Sequence, residues 1–227
     1  MGDIKKNVAD INTTISAAAI KSGRVPGDIK LIGITKNIDV ERIRELATAG
    51  ISYLGENRVQ EFLPKYETLQ YPISAWHFVG HLQRNKVKYI IDKVTMIHSV
   101  DSLALAREID SRAKKADIIM DILIEINIAG EDSKHGLSPD DALPFVGELK
   151  ALKNICVKGL MCIAPFVDNP EDNRIYFKKM HDLLIDINTS HIHNYSLVEL
   201  SMGMSGDYTV AIEEGATMVR IGTALVR

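Results

Sequence analysis

Apolar positions recur along this chain in two alternating rhythms. Short runs of β-branched and aliphatic residues are followed by longer segments in which apolar positions return every three or four residues. The first segment is helical: Ile4, Val8, Ile11, Ile15 and Ala18 form one stripe, and Gly23 ends it. LIGIT (31–35) then reads as a strand, with a helix starting at the N-cap Asp39 and carrying Ile43, Leu46 and Ala47. The alternation continues with strands ISYLG, AWHFVG, TMIHSV, DILIEINI, VKGLMCIA, SLVELSM and TMVRIG. Helices are predicted after them over about 56–68, Leu82 to Ile91, Ser102 to Lys115, from Ser138-Pro139, from Asn169-Pro170, and from Asp207 to Glu214.

Eight strands separated by helices predict a (β/α)8 barrel with an extra N-terminal helix. The strands are near-continuous apolar runs, as parallel strands covered by helices require. A doubly wound open sheet is the rival, but the regular units and the lack of GxGxxG after the first strand favour closure. No Pro/Gly/Ser-rich linker divides residues 1–227, so one domain is expected.

Composition narrows the function without naming it. The 27 Lys+Arg against 30 Asp+Glu leave a net charge of -3, which disfavours generic nucleic-acid binding. The apolar run IIMDILIEINIA is broken by Asp121, Glu125 and Asn127 and is too short to span a bilayer, and no signal peptide is read at the N-terminus. Cys156 and Cys162 are six residues apart on one strand, so they are expected to share a face as buried free thiols. A cytoplasmic monomer is expected, with no membrane and no nucleic-acid partner.

In a barrel of this kind the chemistry sits where strands end, which selects Lys36, Asn57, His77, Asp101, Asn127, Ser201, Arg220 and Gly222-Thr223. A lysine after a strand as apolar as LIGIT faces the mouth, where partial burial would free its amine as a nucleophile; a solvated rim lysine is the plainer alternative. The segment 201–224 holds the two loops that commonly bind phosphate in barrels, with Ser201, Gly203, Ser205-Gly206 and Gly222-Thr223 as donors and close-approach points. Arg220 lies in an apolar strand and needs an acceptor: either a structural partner such as Glu199, or a ring nitrogen or carboxylate of a ligand. Together, a lysine amine, a phosphate cradle and a ring-nitrogen donor describe a pyridoxal phosphate site. No metal site is expected, because His77 and His81 fall on a strand end and the next loop rather than on one helix face. The basic stretch around His81, Arg84, Lys86 and Lys88 reads as a solvated face, and so does the Lys134-His135 loop, for which a lid or a secondary cofactor site is the alternative.

The segments LIGITK, YLGENRVQE, WHFVGHLQRNK, HSVDS, NIAGEDSKHGL, GLMCIAP and the whole of 201–224 resemble, in order, the YggS/PROSC family of pyridoxal phosphate homeostasis proteins. The resemblance implies the fold-type III barrel of the alanine racemase N-terminal domain. It implies that Lys36 carries pyridoxal 5'-phosphate covalently as a Schiff base, and that Arg220 faces the pyridine nitrogen. It further implies that Ser201, Gly222 and Thr223 contact the phosphate, and that Asn57, His77 and Met202 line the ring pocket. An arginine there leaves the ring nitrogen unprotonated, which weakens the ring as an electron sink. The chain stops seven residues after Arg220, so no second domain bringing an opposing base is expected. Tyr53 and Tyr208 are the candidate bases within the barrel, with packing as their plainer role. The expected function is therefore to hold and release the cofactor, for apo-enzymes among other takers, without catalysis; the alternative is an amino acid racemase or lyase.

Overall fold

The computed structural model describes residues 3–69, 75–190 and 196–227. Strands β1 (Lys30–Ile34), β2 (Tyr53–Glu56), β3 (Ala75–Phe78), β4 (Met96–Val100), β5 (Met120–Ile126), β6 (Ile155–Cys162), β7 (Glu199–Ser201) and β8 (Met218–Ile221) pair in parallel and in chain order. β8 returns to β1, with Ile32 opposite Arg220, and closes the barrel. The expected eight-stranded barrel is the observed one.

Helices α1 (Ile4–Lys21), α2 (Val40–Thr48), α3 (Val59–Thr68), α4 (Leu103–Lys115), α5 (Pro139–Leu149), α6 (Arg174–Thr189), α7 (Tyr208–Glu213) and α8 (Thr223–Val226) surround it. The predicted starts hold where a side chain caps them: Asp39 accepts from Arg42 N at 2.9 Å, and Ser138 from Asp141 N at 3.2 Å. The predicted helix over Leu82 to Ile91 is instead a 3₁₀ segment, Arg84–Tyr89. Its buried Val87 is three residues from buried Ile90, the repeat of a three-residue turn, and no side chain caps its start. The short last helix, α8, is held from outside the barrel: Asn7 of α1 donates to Leu225 O at 3.2 Å and Arg227 O at 2.7 Å.

Two cores result. Most apolar side chains lie between strands and helices, while Ile32, Met96, Leu123, Met161 and Met218 fill the lumen. A register shift between Ile122 and Leu123 faces the step from Val157 to Gly159 in β6. That extra residue reverses the alternation. Cys162 therefore joins the helix-facing core while Cys156 sits beside Lys158, so the two thiols do not share a face as the spacing suggested. Burial pushes the Cys162 thiol up to about 12, which leaves it unreactive. No helix among the described residues is long and apolar enough to cross a membrane.

Candidate functional site

The carboxyl end of the barrel carries a cavity of about 480 Å³ bounded by the loops after β6, β7 and β8. That is within the roughly 300–1,000 Å³ of small-molecule sites. Arg220, Gly222 and Thr223 line it, as do Ser205 and Gly206 from the β7 loop, Asn173 from the β6 loop and Lys134 from the β5 loop.

What it offers an anion is mostly backbone. Gly203 at φ +87° turns the chain sharply after β7, and a Cβ there would lie 2.5 Å from Ala211 Cβ. Asp207 closes the loop by accepting from Met204 N at 2.7 Å and from Asn173 Nδ2 at 2.8 Å. Ser205, Gly206 and Thr223 are left with backbone N–H groups that have no acceptor among the described residues. The Asn173 Oδ1 atom is buried without a partner beside the same cavity.

Arg220 forms the cavity's inner wall and is 4% exposed. Its guanidinium donates to Ser201 O and Ser201 Oγ, both at 2.7 Å, and to Cys162 O at 2.8 Å. None of these acceptors is a carboxylate. Glu199, the structural partner considered from sequence, is taken by Lys30 and Thr217 instead. Burial lowers the Arg220 pKa, yet an arginine stays protonated at neutral pH. Two of its five N–H groups, one of them on Nε, have no acceptor among the described residues.

Ser201 does not line the cradle. Its hydroxyl is fully buried in the lumen and bridges Arg220 to His98 Nδ1 at 3.0 Å, while His98 Nε2 meets His77 Nδ1 at 2.8 Å. The arginine sets one end of this chain. Arg220 can only donate, so the Ser201 oxygen accepts from it and the Ser201 O–H remains to be given; the tautomer that uses it has Ser201 donating to His98 Nδ1 and His98 Nε2–H donating to His77 Nδ1. Both imidazoles are neutral: burial pushes His77 down to about 4 and His98 well below its ordinary value. Ser201→Ala is expected to cost about 2 kcal/mol by leaving His98 Nδ1 and one arginine N–H unpaired. The cost should be read as a lower urea midpoint with an unchanged denaturant slope.

The remaining candidates are placed unequally. Lys36 follows Thr35, whose carbonyl accepts from Lys65 Nζ at 2.7 Å; Lys65 also pairs with buried Glu56 at 2.7 Å, so α3 pins the end of β1. Ile32 and Ile34 face the lumen, and Lys36 continues that alternation at the rim. It is exposed, not partly buried as the sequence suggested, and the chain turns directly after it at Asn37, φ +57°. Asn57 directly follows β2, with its Oδ1 buried and unpartnered. Met202 lies in the helix-facing core, not in a ring pocket: next to lumen-facing Ser201, it must face the other way. Tyr53 packs edge-on against His77 at 5.7 Å, and Tyr208 packs on the outer core.

The sequence reading missed His98, Asn173 and Asp207, and treated Glu125 only as a break in an apolar run. Reading strand ends alone hid His98 and Glu125, which lie within strands; their even spacing from lumen-facing Met96 and Leu123 was the available signal. Glu125 is 6% exposed with Oε2 unpartnered. Burial and the charge of Asp101 push it up to about 7, against the pull of Arg220.

Comparison with known proteins decides what this barrel is. The family model described as alanine racemase, N-terminal domain, matches residues 21–227. The pyridoxal phosphate homeostasis protein of Aquifex aeolicus is 48% identical over 93% of this chain and 92% of its own length. The chain belongs to the YggS/PROSC family of pyridoxal phosphate homeostasis proteins. The relative from Synechocystis sp. is 39% identical over 88% of this chain and 92% of its own. PipY of Synechococcus elongatus, solved both without and with pyridoxal phosphate bound, superposes with TM-scores of 0.87 and 0.86. It is 31% identical, over 99% of this chain and 100% of PipY.

Proposed function

We propose that this member of the family holds pyridoxal 5'-phosphate at the barrel mouth, with Lys36 as the residue that carries it covalently. The carrying observation is the meeting, on one cavity, of a buried arginine held only by neutral acceptors with three unclaimed backbone N–H groups. A phosphorylated pyridine aldehyde fits that donor set. The phosphate is taken by Ser205, Gly206, Gly222 and Thr223, and the ring nitrogen accepts from the Arg220 guanidinium. Ser201 supports Arg220 and does not touch the phosphate. When bound, the cofactor supplies an aldehyde that condenses reversibly with a primary amine and releases water.

This chain's own groups favour holding over turnover. Arg220 keeps a positive donor at the ring nitrogen, and no proton is lent to it. The neutral His98 and His77 beneath it are committed to one another and to Ser201. The open rim at Lys36 suits reversible loading and release to apo-enzymes.

The test separates storage from catalysis. Cofactor-loaded protein is incubated with single enantiomers of small amino acids in deuterated water. The storage reading expects no sustained α-deuterium incorporation and no racemisation. Turnover of either kind would replace it with the racemase or lyase reading.

A further inference from the structure

We propose that His81, Asp101 and His135, none of which lines the cofactor cavity, form a binding site for a divalent transition metal ion of the zinc class on the rim of the barrel. Sequence spacing paired His81 with His77, and the fold separates them: His77 is buried in the lumen while His81 reaches the rim. There it stacks on His135, with ring centroids 3.8 Å apart and planes 14° from parallel. Asp101 Oδ2 is 3.8 Å from His81 Nδ1, and one ligand atom from each of the three residues lies within 4.8 Å of the others.

Two imidazoles and a carboxylate are the donors zinc takes, at about 2.0–2.2 Å each, which places tetrahedral ligands about 3.3 Å apart. Closing from the observed spacing requires the two exposed rings to rotate out of their stack so that their nitrogens converge. Neither histidine is otherwise committed. His135 makes no hydrogen bond among the described residues, and His81 has only Asp101, beyond hydrogen-bond distance.

Each ligand is attached to backbone that is already fixed. Gly80, next to His81, lies so close to Asn57 that a Cβ would sit 2.2 Å from Asn57 O. Asp101 directly follows β4. His135 stands between Lys134, bonded to Glu131 at 2.6 Å and Ala164 O at 3.2 Å, and Gly136 at φ +111°. The Asn127 side chain clamps the same loop, donating to Glu131 O at 2.9 Å and accepting from Glu131 N at 3.1 Å. Three loops after successive strands thus present one ligand apiece, held in place before the ion arrives. Three protein ligands leave a coordination position open to water or a small anion. An ion there also ties down the loop whose Lys134 walls the cofactor cavity.

The proposal is independent of the cofactor reading and is tested on cofactor-free protein with Co²⁺ as a spectroscopic probe and Zn²⁺ as competitor. Wild type should develop visible d–d absorption saturating at one Co²⁺ per chain, displaced by Zn²⁺. A lost ligand should cost no less than the roughly tenfold that a lost supporting contact costs. His81→Ala, His135→Ala and Asp101→Asn should therefore each weaken binding by about tenfold or more, with circular dichroism unchanged. The sequence holds another histidine pair, His191 and His193, so the double variant H81A/H135A is decisive. Unchanged binding in that variant, or none in wild type, would overturn the site.

Discussion

Lys36→Ala is expected to abolish the visible absorbance that the wild-type protein keeps after loading with pyridoxal phosphate and dialysis, while leaving the fold intact. The side chain is exposed, and Thr35 before it is held by Lys65 and Gly55 independently of the lysine, so its removal empties no core. Surface changes of this kind usually alter stability by less than about 0.5 kcal/mol. The proposed covalent attachment depends wholly on the amine, whereas the proposed phosphate and ring contacts do not. The variant should therefore retain weaker, reversible uptake that dialysis removes. Borohydride should fix the cofactor to wild type and not to the variant, as read by intact mass. Retained colour and borohydride-stable mass in Lys36→Ala would move the attachment to another lysine.

The second large effect concerns acid and base stability of the cofactor-free protein, where two buried groups pull in opposite directions. His77 falls from 6.5 to about 4 on folding. Between those values the unfolded chain binds more protons, so the stability His77 contributes is full above pH 6.5 and is lost as pH falls toward 4. His98 acts with the same sign. Glu125 rises from 4.5 to about 7. Between those values the folded chain binds more protons, so its contribution is full below pH 4.5 and is lost as pH rises through 7. At about 1.4 kcal/mol per pH unit, each of His77 and Glu125 carries roughly 3 kcal/mol, and between pH 4.5 and 6.5 the two slopes oppose.

Glu125→Gln removes one slope and leaves the other. The variant should gain up to roughly 3 kcal/mol relative to wild type at pH 8, nothing near pH 4, and lose stability more steeply on acidification. Urea unfolding at pH 4.5, 6 and 8 reads all three outcomes. Equal stability of the two proteins at pH 8 would show that Glu125 is not held protonated on folding.

How much of this could be read from residues alone depends on what each feature rests on. Barrel closure was legible because it follows from local periodicity: strands repeat every two residues, helices near every four, and eight such units have few ways to bury both faces. The strand-end rule brought Arg220, Gly222 and Thr223 onto one cavity. It failed for Ser201 and Met202, which it treated as neighbours in one site although adjacent strand residues face opposite ways. It also failed for His98 and Glu125, which belong to the lumen and not to its mouth.

The sequence by itself determined the alternation, the caps at Asp39 and Ser138, the candidate amine at Lys36 and the family the chain belongs to. Those are properties of neighbouring residues or of ordered motifs. Only the tertiary structure decided which distant polar groups meet: Ser201 with His98, 103 positions away, and His81 with His135 across three loops. Closing the barrel brings together residues whose separation along the chain carries no information about distance. A single shifted register, as in β6 opposite Ile122 and Leu123, is enough to send Cys156 and Cys162 to different faces. Spacing is a one-dimensional quantity, and contacts across a closed sheet are fixed by its registers.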